Sequence, residues 1–172
     1  EEYCVVCREG GHYFTEGRSI FPYGEIWRQS LVRFKYYGCR EYGDFYAKAM
    51  SMYGRRYLER WKPQLIVPVP LHPAKKRMRG FNQAAYLAER LSCYTGIPWT
   101  DSLVLKIRNT RSQKKLDALQ RRNNLRKAYE VTHKLDDISI SVVDDVYTTG
   151  STMDAMAICL TEAGAQAVYF LT

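Results

Sequence analysis

The chain has 172 residues, 46% hydrophobic and 26% charged, which fits one globular domain of ordinary size. Lys and Arg number 26 against 18 acids, and the net charge of +8 favours a polyanionic partner such as nucleic acid, nucleotide phosphates or pyrophosphate. No apolar stretch approaches the ~18 residues of a membrane span, and no basic-then-apolar leader opens the sequence.

Residues 1–20 show no clear periodicity and read as a short N-terminal segment ahead of a domain covering residues 21–172. Cys4 and Cys7 form a lone C-x-x-C, while Cys39, Cys93 and Cys159 stand apart. Five unevenly spaced cysteines make no disulfide framework and suit a reducing, cytoplasmic compartment. Cys4 and Cys7 are either half of a zinc knuckle or ordinary thiols. His12 could serve as a third ligand, but no fourth is evident, and a structural zinc site takes four. His12, His72 and His133 are too scattered for a metal cluster of their own.

Between residues 44 and 61, Tyr46, Ala49, Met50, Tyr53, Tyr57 and Trp61 recur at helical spacing and predict one helix. Residues 64–69, between Pro63 and Pro70, read as a buried strand. The run KKRMR at residues 75–79 is the first concentrated basic cluster. Phe81, Ala84, Ala85, Ala88 and Leu91 then mark one face of a helix that stops near Gly96. Residues 103–107 can form a strand, and residues 106–127 hold nine Lys or Arg with a single acid, Asp117.

Residues 138–143 are again strand-like and run out into Asp144 and Asp145. Ser151-Thr-Met-Asp154 fits a capping box, with the Ser151 hydroxyl and the Asp154 carboxylate each taking a free N–H. Met156, Cys159, Leu160 and Ala163 supply the apolar face of the helix that follows, Gly164 closes it, and residues 167–171 begin another strand. Strands alternating with helices predict an α/β class with a central, mainly parallel sheet flanked by helices.

The segment from Val142 to Thr152, VVDDVYTTGST, carries the most chemistry. Ligands of open α/β sheets gather at the carboxyl ends of strands, where this loop would lie. Around Gly150 the backbone N–H groups can turn inward, and Thr148, Thr149, Ser151 and Thr152 add hydroxyls at a helix N-terminus, a setting suited to a phosphate monoester. Asp144 and Asp145 would repel a phosphate placed beside them but can accept from vicinal hydroxyls. Acids on one side and phosphate donors five residues later fit a ribose 5-phosphate laid along the loop. The competing possibility is a strand end capped by solvated acids before an ordinary helix. No G-x-x-x-x-G-K-[ST] and no G-x-G-x-x-G is present, so neither a Walker-type site nor a dinucleotide fold is supported.

This loop resembles the ribose-phosphate signature of the type I phosphoribosyltransferases, and within that group the chain resembles the ComF family of competence proteins. Further segments carry the likeness: FKYYG from Phe34, VPVPLH from Val67, RMRGFNQ from Arg77, RNTRSQ from Arg108 and RNN from Arg122. The resemblance implies a type I phosphoribosyltransferase fold with a pyrophosphate loop at Val69-Pro70-Leu71, assisted by Arg77 and Arg79. It also implies a hairpin over residues 106–115 that closes on pyrophosphate, and a ribose-phosphate site at Asp144, Asp145, Thr148, Thr149, Gly150, Ser151 and Thr152. Family members tend to carry a four-cysteine zinc knuckle, of which only Cys4 and Cys7 appear here.

If active, such a domain would displace pyrophosphate from the ribose anomeric carbon with a nitrogen nucleophile. Asp144 and Asp145 would fix the sugar, and Arg108, Arg111, Lys114 and Lys115 would stabilise the leaving group together with Mg²⁺. The expected ligand is phosphoribosyl pyrophosphate or a nucleotide, with a role in competence and DNA uptake. The alternative is a non-catalytic, nucleotide-sensing module that holds single-stranded DNA and meets other uptake proteins. The sequence marks no nucleobase pocket.

Overall fold

The computed structural model describes residues 11–22, 24–107 and 128–172. Cys4, Cys7, Arg108, Arg111, Lys114 and Lys115 lie outside these residues.

Four strands form the central sheet: β1 (Glu16–Arg18), β2 (Leu65–Pro68), β5 (Ser139–Val143) and β6 (Ala167–Leu171), in the order β1-β6-β5-β2 and all parallel. Residues 98–100 extend it past β2, where the Ile66 amide donates to the Pro98 carbonyl at 2.8 Å and the Thr100 amide to the Ile66 carbonyl at 3.1 Å. A separate antiparallel pair, β3 (Val104–Lys106) and β4 (Tyr129–Val131), stands beside it. The helices are α1 (Glu25–Tyr36), α2 (Arg40–Tyr53), α3 (Arg55–Trp61), α4 (Pro73–Arg79), α5 (Gln83–Thr95) and α6 (Ser151–Glu162). This is the parallel sheet flanked by helices that the alternating pattern predicts.

The sheet is covered on both faces, and the period-two geometry of strands sorts its side chains. Val67, Ile140, Val142, Val168 and Phe170 face α6 and the β3–β4 pair. Ile66, Val143 and Leu171 face the other way, into a core built from α1, α2, α3 and α5. Phe34 and Met50 are fully buried in that second core, and truncation to Ala would cost about 3–5 kcal/mol at Phe34 and about 2–5 kcal/mol at Met50.

Two elements go beyond the sequence expectation. The periodic run over residues 44–61 is two helices, α2 and α3, meeting at Gly54. There the chain presses on β6 so closely that a Cβ would lie 3.0 Å from Leu171 Cδ2 and 2.4 Å from the Met50 carbonyl. The basic cluster at residues 75–79 is itself helical, within α4, opened by Pro73 and closed by Gly80 in the left-handed conformation (φ 81°). β1, drawn from the segment ahead of residue 21, is an edge strand of the sheet. Among the described residues no helix is long and apolar enough to cross a membrane.

Candidate functional site

The carboxyl ends of β2 and β5 lie side by side, paired Pro68 to Val143. The two loops leaving them therefore face one another across the same edge of the sheet. The first is Val69-Pro70-Leu71, leading to α4; the second is residues 144–150, leading to α6. This is the place where ligands of parallel sheets bind.

In the second loop, Asp144 is half-buried directly after β5. Its carboxyl is held well above the usual carboxylate range, by burial first and by the negative charge of Asp145 next. The Asp145 amide donates to Asp144 Oδ1 at 2.9 Å, and Asp145 forms an ion pair with Lys35, in the last turn of α1. Lys35, which the sequence alone leaves unassigned, is thus brought to the acid pair by α1.

Thr148, Thr149, Ser151 and Thr152 are all exposed, and Gly150 is buried between them. Gly150 is the N-cap of α6 in the left-handed conformation (φ 77°) that only glycine adopts easily, and no side chain caps this helix. The predicted capping box does not form. Ser151 Oγ meets Thr149 Oγ1 at 3.0 Å, while the buried Asp154 carboxylate accepts from the Tyr13 amide at 2.8 Å and pairs with His12 Nδ1 at 3.0 Å. A tertiary demand on Asp154 has overridden the local signature.

In the first loop, the Val69 amide is committed to the Val143 carbonyl at 2.9 Å and Pro70 has no N–H, so of the three residues only Leu71 could offer a backbone donor. Arg77 and Lys76 from α4, with Lys106 of β3, line a groove beside Pro70 and Leu71. Burial and the nearby Lys75 push the Lys106 amine down, while the charge of Asp144 pulls it up. The groove is therefore cationic, and Lys106 feels the charge of Asp144. Arg79 points elsewhere: its guanidinium donates to Gln83 Oε1 at 2.9 Å and to the Tyr36 hydroxyl at 2.8 Å.

The acids also line a cavity of about 280 Å³. Asp144, Asp145 and Tyr147 share its wall with Phe21, Trp27 and Tyr46. Trp27 packs on Phe21 with ring centroids 4.4 Å apart. No sequence signal marks this cavity, because its walls come from β1's exit, α1, α2 and the acid loop. The acid pair lines the aromatic cavity, the cationic groove opens beside the neighbouring loop, and the hydroxyl-rich turn ends the acid loop.

A cation site needs more than these acids provide: among the described residues no group of three or more His, Cys, Asp or Glu could hold a metal. His12, considered above as a third zinc ligand, is engaged with Asp154.

No family model matches the chain. Competence protein F of Haemophilus influenzae (strain ATCC 51907 / DSM 11121 / KW20 / Rd) is 34% identical over 109 residues, 62% of this chain and 48% of that protein. Competence protein ComFC of Bacillus subtilis (strain 168) is 30% identical over 158 residues, 87% of this chain and 59% of that one. DNA utilization protein YhgH of Escherichia coli (strain K12) is 36% identical over 117 residues, 68% and 52% of the two chains. The chain spans about half the length of the curated relatives it matches. A solved purine phosphoribosyltransferase from Pyrococcus horikoshii Ot3 aligns with a TM-score of 0.43 at 19% identity, over 74% of this chain and 84% of that one, a likeness too loose to bear on function.

Proposed function

The chain belongs to the ComF family of competence proteins, and from that premise we infer that it is a phosphoribosyltransferase-type domain that binds phosphoribosyl pyrophosphate or a related ribose 5-phosphate and acts in competence. The observation that carries this reading is the set of surfaces gathered by the two loops that leave the paired ends of β2 and β5. A cationic groove suits pyrophosphate, an acid pair the ribose hydroxyls, an aromatic cavity an acceptor, and a hydroxyl-rich turn a 5-phosphate.

In the transfer, the bond between the anomeric carbon and pyrophosphate breaks while a bond to the acceptor nitrogen forms, and the proton that nitrogen sheds passes to water or to the departing pyrophosphate. Positive charge builds on the ribose ring and negative charge on the leaving pyrophosphate. Asp144 and Asp145 accept from the ribose hydroxyls, and Lys35 keeps the pair from repelling itself. Arg77 and Lys106 supply prearranged positive charge to the leaving group, often the largest catalytic contribution. Arg108, Arg111, Lys114 and Lys115 belong to the same role by resemblance. Mg²⁺, expected as part of the pyrophosphate substrate, would add positive charge at the leaving group. The aromatic cavity suits a planar acceptor.

Calorimetry with ribose 5-phosphate and with phosphoribosyl pyrophosphate tests the binding, and pyrophosphate release against a panel of bases and amines tests the transfer. Absence of heat with either sugar removes the reading; heat without release across the panel leaves a non-catalytic nucleotide-sensing module.

One surface feature favours a second reading, contact with single-stranded DNA. Arg79 lies 4.8 Å over the Tyr36 ring, Arg40 5.4 Å over Phe81 and Arg90 5.4 Å over Tyr86, with Tyr37 74% exposed beside them. Alternating cations and π-faces suit stacked bases on a charged backbone. Affinity for an oligonucleotide that falls steeply with salt, and less steeply in an Arg40→Ala, Arg90→Ala variant, would support it; affinity indifferent to salt would not.

A further inference from the structure

We propose that His12 is the positioning residue of the phosphate-binding turn, holding the left-handed Gly150 so that the amides and hydroxyls of residues 148–152 stand ready for a phosphate monoester. The proposal rests on the phosphate reading of that turn and adds to it a residue from a distant part of the chain.

His12 precedes β1 and crosses to the start of α6. Its side chain is 9% exposed and that of its partner Asp154 10%, so the contact is almost wholly withdrawn from water. Three interactions fix the ring. Nδ1 lies 3.0 Å from Asp154 Oδ2, and the adjacent Tyr13 amide donates to Asp154 Oδ1 at 2.8 Å, so one carboxylate clamps two consecutive residues. The ring stacks on Phe14 with centroids 4.7 Å apart and planes 21° from parallel. Nε2 lies 3.4 Å from the Tyr147 hydroxyl, inside the loop itself. With Nδ1 donating to the carboxylate, the second ring nitrogen is left for that hydroxyl.

The edge of the ring so fixed is pressed against Gly150. A Cβ built on Gly150 would lie 2.6 Å from His12 Cε1 and 2.7 Å from the Tyr147 hydroxyl. The turn has no lock of its own, since α6 begins without a side-chain cap and the exposed Thr149 and Ser151 hydroxyls meet each other. His12 supplies the lock from behind, leaving the outward face of the turn open. Tyr147 also stacks on Phe170 at 4.9 Å and lines the aromatic cavity, so the same contact sets one wall of that cavity.

The test compares His12→Phe, which keeps a ring on Phe14 but loses both polar contacts, with His12→Asn, whose amide can still donate to Asp154. Amide hydrogen exchange of the ligand-free protein is the first readout and ribose 5-phosphate calorimetry the second. In His12→Phe, exchange at residues 154–156, where the α6 amides first find intrahelical acceptors, should accelerate about ten-fold while β5 and β6 keep their protection. Affinity for ribose 5-phosphate should fall about five-fold, the equivalent of one hydrogen bond, and His12→Asn should recover most of both. Unchanged exchange at the start of α6 in His12→Phe, or acceleration spread evenly over the sheet, overturns the proposal. Should His12→Phe fail to fold, Tyr147→Phe carries the same test through the Nε2 contact, with a smaller acceleration expected and none overturning it. If the wild-type protein takes no ribose 5-phosphate, the functional reading falls while hydrogen exchange still decides the role of His12.

Discussion

The Asn82 side-chain amide donates to the Val69 carbonyl at 3.1 Å while its Oδ1 accepts from the Ala84 amide at 3.1 Å. One residue thus caps α5 and ties the strand-end loop of β2 to that helix, at the floor of the cationic groove. Asn82→Ala loses both contacts and should destabilise the protein by about 1–2 kcal/mol. Asn82→Asp keeps the capping acceptor, and gains from its charge at the helix N-terminus, but cannot donate to Val69. It should cost less than half as much stability while weakening pyrophosphate binding as far as Asn82→Ala does. Urea denaturation and pyrophosphate calorimetry on the two variants separate the contributions.

Asp144 gives the stability a defined dependence on pH. Burial and the neighbouring Asp145 charge hold its carboxyl well above the usual range, with Lys35 pulling the other way. A carboxyl raised in the folded state binds its proton more tightly there than in the unfolded chain. The stability it contributes is complete below the unfolded value, near ~4, and is lost as pH rises through the folded value. Asp144→Asn should therefore be more stable than wild type at pH 7.5, with the difference closing as pH falls to about 4. Lys35→Met removes the favourable cation and should be less stable than wild type at neutral pH. Denaturation curves at constant ionic strength check both signs, and ribose 5-phosphate binding should be lost in Asp144→Asn despite the added stability.

Local pattern and long-range contact divide what the sequence makes legible. β2, β5 and β6 read directly as short apolar runs because neighbouring side chains such as Ile66 and Val67 are buried on opposite faces. The acid and hydroxyl loop is legible for the same reason: strand end, carboxylates, turn and helix follow within eleven residues. α1 is obscured because Ile26 (81% exposed), Val32, Tyr36 and Tyr37 put apolar residues on the face opposite Leu31 and Phe34. α4 buries nothing, so only Pro73 and Gly80 betray it. His12 meets a partner 142 positions away, and Lys35 reaches Asp145 only after α1 has docked. No periodicity encodes either contact. The capping signature at Ser151 misleads for a related reason, since Asp154 is claimed by the chain before β1.

Gly150 should tolerate no side chain. Its φ of 77° is strained for any L-residue, and the space a methyl would need holds His12 Cε1 and the Tyr147 hydroxyl. Gly150→Ala should cost about 1–3 kcal/mol in stability and reduce ribose 5-phosphate binding beyond detection at concentrations that saturate the wild type. Gly96 offers the control. It is equally left-handed (φ 74°) at the C-terminus of α5, with nothing within 4 Å of a Cβ, so Gly96→Ala should cost about 1 kcal/mol and leave binding unchanged.

Trp27 reports on the cavity. Its ring packs on Phe21 and lies 6.3 Å from Phe45, on the wall shared with the acid pair. Trp61 is held at the far side of β6 against Tyr169, with its indole N–H on Glu16 Oε2 at 2.9 Å, and Trp99 extends the sheet beyond β2. Neither lines the cavity, so a planar acceptor entering it should quench Trp27 emission alone. Titration with free purine and pyrimidine bases should lower the fluorescence of the wild type, and Trp27→Phe should abolish the quench while keeping a wall of similar shape. Trp27→Ala removes the stacking surface and should weaken base affinity about 5- to 100-fold, since stacking contributes ~1–3 kcal/mol per base. Affinity for ribose 5-phosphate should change by less than about two-fold, because the turn at residues 148–152 lies outside that wall. A quench that survives in Trp27→Phe would place the base elsewhere on the protein.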